Sequence, residues 1–207
     1  MSMTELIEKI IIFILILLVN ILIVYIFSKI YSKKKKKHFQ NIFSLYEKGL
    51  YKEAINEAKK IQIDGIESLI HEFIGDCYYE LGDKAESYKH YKKAISIDNN
   101  SEIAHIELGK LLLDELKIDE ALYHLQKALQ IDAKNSVTRY YLSLAYEEKG
   151  NYEDAIRELE KAIKLTPTLI AYYERLYNIY EYLGKKTEAD RIKRSLDLLK
   201  RNQGVIP

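Results

Sequence analysis

Residues 136–169 read SVTRYYLSLAYEEKGNYEDAIRELEKAIKLTPTL, and this stretch decides the fold. Arg139, Leu142, Ser143 and Tyr146 fall at i, i+3, i+4 and i+7, a spacing that sets four side chains on one helical face. Gly150 stops that helix, because a glycine past the last turn takes the left-handed conformation at low steric cost; Asn151 follows as a turn residue or N-cap. A second helix then begins. Ala155, Leu159, Ala162 and Ile163 form its apolar face, Glu153 and Asp154 suit its N-terminus, Lys161 and Lys164 its C-terminus, and Pro167 prevents continuation. The stretch predicts one helical hairpin.

The pattern recurs at a fixed stride. The small residue opening the second helix appears as Ala54, Ser87, Ala121, Ala155 and Ala189, an even spacing of about 34 residues. The turn glycine follows it as Gly49, Gly82, Gly150 and Gly184, with Leu116 as the single lapse. Two middle units carry His71-Ile74-Gly75-Tyr78 and His105-Leu108-Gly109-Leu112, where the tetratricopeptide signature has W-x2-L-G-x2-Y. The chain thus resembles tetratricopeptide-repeat proteins. The resemblance implies an all-α superhelical solenoid of about five helix-turn-helix repeats over residues 38–203, divided near 38–67, 68–101, 102–135, 136–169 and 170–203, with a short tail at 204–207. The first and last units are degenerate. The resemblance specifies an architecture and leaves the ligand open.

The start of the chain departs from this composition. After a tail at residues 1–9, an uncharged run extends from Ile10 to Ser28. As a helix it would span roughly 28 Å, close to the hydrocarbon thickness of a bilayer, and a single transmembrane helix is expected. A cleaved secretory signal fits less well, because residues 1–9 are nearly neutral and the run ends without a small-residue cleavage site. Asn20 lies mid-run and could pair two copies of the chain through the membrane.

Residues 29–37 form a polybasic juxtamembrane segment, with Lys33, Lys34, Lys35, Lys36 and Lys37 consecutive. Positive residues beside a membrane helix stay on the cytoplasmic side, so the expectation is a single-pass membrane protein with cytoplasmic repeats. The same lysines could also hold anionic lipid headgroups. Residues 1–37 hold seven lysines against Glu5 and Glu8, a net +5, and the total of +1 leaves −4 for the rest of the chain, from His38 onward. A nucleic-acid partner is therefore not expected.

In the first repeat, Phe39, Ile42, Phe43 and Tyr46 lie on one helical face, and Ala54, Ile55, Ala58 and Ile61 on the next. Asp64-Gly65 then breaks the chain. At the far end, Ala189, Ile192, Leu196 and Leu199 make one apolar stripe whose other face is charged, as a terminal capping helix requires. Cys77, the single cysteine, excludes an internal disulfide and reads as a buried, inert thiol.

No glycine-rich phosphate loop, H-E-x-x-H, C-x-x-C or G-x-S-x-G motif occurs, and neither an enzyme nor a cofactor is expected. His71 and His105 stand one repeat apart, as do His90 and His124. Such repetition favours packing over metal ligation. Carboxylate neighbours such as Glu147-Glu148 and Asp119-Glu120 read as solvated helix residues.

The resemblance also implies where a partner would lie. In tetratricopeptide proteins the first helices of successive units line a concave groove at repeat positions 2, 5, 9, 12 and 13. In one unit these are Leu69, Glu72, Asp76, Tyr79 and Glu80; in the next, Ile103, Ile106, Lys110, Leu113 and Asp114. The third supplies Val137, Tyr140, Leu144, Glu147 and Glu148. The lining is apolar with acidic edges and Lys110 as its one cation, which suits a partner segment with aliphatic anchors and Lys or Arg. Members that grip a terminal carboxylate use lysine and asparagine at positions 5 and 9; this chain has neither pattern there, so that activity is not implied. The side chains of Glu72 and Asp76 are expected to be exposed.

The expected function is that of a membrane-tethered adaptor or scaffold for a membrane-associated protein. A second arrangement is a structural subunit of a membrane machine, such as a flagellar motor or secretion complex, with extracytoplasmic repeats. A third is a regulator of envelope biogenesis. An N-terminal membrane helix before cytoplasmic repeats resembles the lipopolysaccharide assembly protein B family, whose cysteine-rich metal-binding domain has no counterpart in a chain with one cysteine.

Overall fold

A computed structural model describes the backbone of residues 33–61 and 65–205, and the side chains from Phe39 onward. The expected transmembrane helix at 10–28 lies outside these residues. Among the described residues no helix is long and apolar enough to cross a membrane.

Ten helices are present among the described residues: α1 Lys33–Glu47, α2 Tyr51–Ala58, α3 Glu67–Glu80, α4 Lys84–Ile97, α5 Glu102–Asp114, α6 Ile118–Ile131, α7 Ser136–Glu148, α8 Tyr152–Leu165, α9 Ile170–Tyr182 and α10 Lys186–Asn202. The all-α reading holds. The backbone of α1 includes Lys33–Lys37, which the sequence suggested as a separate segment before the repeats. Lysine is a good helix former, so nothing in that run ends the helix.

Each pair of helices is closed by the same turn. Gly150 at φ 80° donates its N–H to the Glu147 carbonyl at 2.8 Å, and Asn151 donates to the Tyr146 carbonyl at 2.8 Å. These two bonds satisfy carbonyls that the helix end would otherwise leave without partners. The geometry repeats at Gly49, Gly82 and Gly184, and also at Leu116, which takes φ 57° and donates to the Leu113 carbonyl at 2.9 Å. The lapse in sequence is not a lapse in structure.

The small residues one turn into each second helix explain the close packing of the pairs. Ala54, Ser87, Ala121, Ala155 and Ala189 are all fully buried. Gly109 performs a related task on α5, since a Cβ there would come within 2.7 Å of Leu125 Cγ on α6. Ser101 and Asn135 cap α5 and α7, accepting from Ala104 N at 3.1 Å and Thr138 N at 2.9 Å.

The chain divides into two compact units, residues 1–90 and 91–207. The core of the first is built from Phe39, Ile42, Ala54, Ile55, Ala58, Ile66, Ile70, Ile74 and Cys77. In the second, α6 packs on α7 and α8 on α9, so hairpin follows hairpin. Leu122, Leu125, Leu142 and Ala145 form one core cluster there; Ala155, Leu159, Tyr172, Leu176, Ile179 and Ile192 belong to another. The expected capping stripe is present, with Ala189, Ile192 and Leu196 buried.

Candidate binding face

In the first unit, α3 carries all the residues assigned to a groove. Leu69 is exposed, whereas Asp76 and Tyr79 are half-buried. Glu72 corrects the sequence reading: it is only 4% exposed and accepts a hydrogen bond from Ser68 Oγ at 3.1 Å, one turn earlier on the same helix. Its chain equivalent in the second unit, Ile106, is also buried, at 8%. Position 5 of these repeats therefore faces the packing. The carboxylate is retained there because it is hydrogen-bonded rather than because it is solvated.

In the second unit, Ile103 on α5 and Val137 on α7 are 44% and 45% exposed and lie outside the core. Leu113 and Leu144 are half-buried, and Asp114 and Glu148 are exposed. Tyr140 is half-buried and stacks on Tyr172 of α9, with ring centroids 5.3 Å apart and planes 28° from parallel. Burial pushes its hydroxyl pKa up, while Arg175 acts in the opposite sense.

The charged residues of this face are engaged. Lys110 Nζ lies 2.6 Å from Glu107 Oε2 and 5.3 Å from the centroid of the Tyr141 ring. Glu147 accepts from Arg175 Nε at 2.7 Å. Arg175 is thus a second cation beside the assigned residues, and it lies on α9, in the degenerate last repeat that the sequence mapping did not cover. Asp114 and Glu148 are more exposed than Glu147.

Elsewhere the potential chemical groups are tied into the packing. Cys77 is fully buried, and burial first, then the charges of Asp76 and Glu80, pushes its thiol up to about 12. His71 Nδ1 lies 2.9 Å from His90 Nδ1, and His105 Nδ1 lies 2.9 Å from His124 Nδ1. The sequence reading placed these histidines at equivalent positions without pairing them. The signal was their constant separation along the chain, which Arg139 and Glu158 also keep in the next repeat. Among the described residues, no group of three or more His, Cys, Asp or Glu side chains is placed to hold a metal ion.

Comparison with known proteins agrees with the hairpin array. Residues 112–178 match a family model described as tetratricopeptide repeat, and residues 75–115 a model described as TPR repeat. No curated protein matches the chain. Among solved structures, a crystal structure of MamA is 24% identical with a TM-score of 0.72, over 79% of this chain and 96% of that one. MamA 41-end from Desulfovibrio magneticus RS-1 is 21% identical with a TM-score of 0.73, over 83% of this chain and 98% of that one. At these identities the likeness is one of fold.

Proposed function

The units within residues 75–178 are tetratricopeptide repeats, and from that premise we propose that the chain is a membrane-tethered adaptor whose repeats capture an aliphatic, basic segment of another protein. The observation that carries this reading is the exposure of Ile103 and Val137 at the same repeat position, on helices that also carry the exposed carboxylates Asp114 and Glu148. Apolar anchors and carboxylates on the same helices favour a partner helix or strand that combines aliphatic side chains with Lys or Arg. The adaptor has no chemistry of its own in this reading.

The tether is the uncharged run of residues 10–28, and the lysines at 33–37 favour repeats on the cytoplasmic side, with anionic lipid beside them. Tethering raises the local concentration of the repeats for membrane partners, so a modest intrinsic affinity suffices.

The test uses the full chain in detergent micelles and a synthetic amphipathic peptide of leucine and lysine as the probe. Ile103→Ser with Val137→Ser should weaken binding by about 1–2 kcal/mol at unchanged helicity, because exposed positions contribute little to folding. Binding of unchanged strength in the double variant rejects this face. Protection of the repeats from external protease in intact cells, lost on permeabilisation, is expected for the cytoplasmic orientation.

A further inference from the structure

The two histidine couples join the two helices of their hairpins, α3 to α4 and α5 to α6, through Nδ1 atoms 2.9 Å apart. Two ring nitrogens at that distance need one proton between them, because two lone pairs or two N–H groups would repel. In the second couple the structure fixes which ring carries it. His105 Nε2 is 3.3 Å from the Asn99 carbonyl, which can only accept, so His105 is protonated at Nε2. Its Nδ1 is then the acceptor, and His124 Nδ1 donates. Both rings are neutral and buried, at 2% and 7% exposure.

We propose that these couples are acid-opened latches: each holds its hairpin closed while one proton lies between the rings, and full protonation of both rings puts two N–H donors face to face and loosens the hairpin.

The surroundings oppose protonation. Burial, then His105, then Lys92 push the His124 imidazole down to about 4, and burial followed by Lys127 and Lys92 lowers His105 against the pull of the Asn99 carbonyl. The Tyr123 ring lies 5.0 Å from that of His124. In the first unit, burial, then His71 and Lys59, push His90 down to about 4, with Glu86 acting upward and Lys89 downward; the Tyr78 ring is 5.5 Å away. An unfolded chain binds protons at His90 and His124 as pH falls through the ordinary 6.5, and the folded chain binds them at these two rings only near 4. The latch contribution to stability is therefore complete above 6.5 and is lost as pH falls toward 4.

The neighbouring repeat supplies the control. Arg139 and Glu158 occupy the same two positions as His105 and His124, and the equivalences extend further. Arg139 Nη2 donates to the Ala133 carbonyl at 2.6 Å, as His105 Nε2 does to Asn99, and Lys161 bonds Glu158 at 2.6 Å where Lys127 stands in the earlier repeat. The receiving site for a grafted Arg–Glu couple is thus already present.

The experiment measures urea unfolding of the full chain in detergent micelles between neutral pH and pH 4, beside imidazole nitrogen NMR of the unaltered protein. The expected result is a midpoint that falls as pH drops through this window, a smaller fall in the His105→Arg/His124→Glu variant, and neutral-pH tautomers of Nε2–H for His105 and Nδ1–H for His124. An equal fall in the grafted variant overturns the proposal. Titration of His90 and His124 near 6.5 in the folded chain also overturns it, and that reading needs no variant to fold. Neither readout depends on a partner protein, so the proposed adaptor role is tested separately.

Discussion

Arg139 Nη1 lies 2.6 Å from Glu158 Oε2, and this ion pair ties α7 to α8 at the two repeat positions where the preceding hairpin uses His105 and His124. The two side chains retain 15% and 11% of their exposure, so the pair is shielded from solvent on both sides. Removing one partner should therefore cost far more than a surface bridge. Arg139→Ala is expected to lower stability by about 3 kcal/mol, because Glu158 loses its main partner and the Ala133 carbonyl loses its donor. Arg139→Leu combined with Glu158→Leu should recover much of that loss, since two apolar groups leave no buried charge. Urea unfolding of the two variants measures the difference; a cost under about 1 kcal/mol for Arg139→Ala would mean that the pair behaves as an exposed bridge.

Gly109 marks a close approach of α5 and α6, with the position of an added Cβ only 2.7 Å from Leu125 Cγ. Leu125 is fully buried and cannot swing outward. Gly109→Ala should gain about 1 kcal/mol in helix propensity yet lose about 2–3 kcal/mol to overpacking. The net expectation is a destabilisation of about 1–2 kcal/mol, readable as a lowered urea midpoint. The next repeat carries Ser143 at this position, buried and donating to the Tyr140 carbonyl at 2.6 Å, so the backbone can adjust to a Cβ when its partner helix evolves with it. A stabilised Gly109→Ala variant would show that α5 and α6 adjust without help.

The legible part of the molecule was the part encoded residue by residue. A glycine with positive φ and an alanine with no room beyond Cβ announce their positions individually, which is why Gly150, Ala155 and their equivalents located the turns and close packing. The stripe of α10 was likewise readable from its period. Burial of Glu72 was not, because a groove position assigned from a family pattern does not specify how far each helix is rotated. Its Ser68 partner, one turn earlier, was the local hint. Arg175 escaped because its repeat is degenerate and its sequence does not mark the same face. The histidine pairs escaped because equivalence between repeats was read along the chain, whereas the contact runs across the hairpin. The membrane run lies outside the described residues, so its reading rests on sequence.

Leu116 offers the most direct test of the turn. It takes φ 57° at a position where the other repeats place glycine at 71°, 77°, 80° and 67°, and it is 71% exposed. A side chain in this left-handed region crowds the backbone at a cost of about 1–2 kcal/mol, and glycine avoids that cost. Against this, glycine gives the unfolded chain more freedom, which offsets part of the gain. Because the exposed leucine contributes little packing, Leu116→Gly should stabilise the protein by about 1 kcal/mol, a rise in Tm of about 2–4 °C for a chain of this size. Gly150→Leu is the mirror experiment: nothing stands within 4 Å of an added Cβ, so its cost would be purely conformational. Opposite shifts of similar size in the two variants are expected in thermal unfolding. A lowered Tm for Leu116→Gly would mean that the Leu116 side chain contributes more through contact than its backbone strain removes.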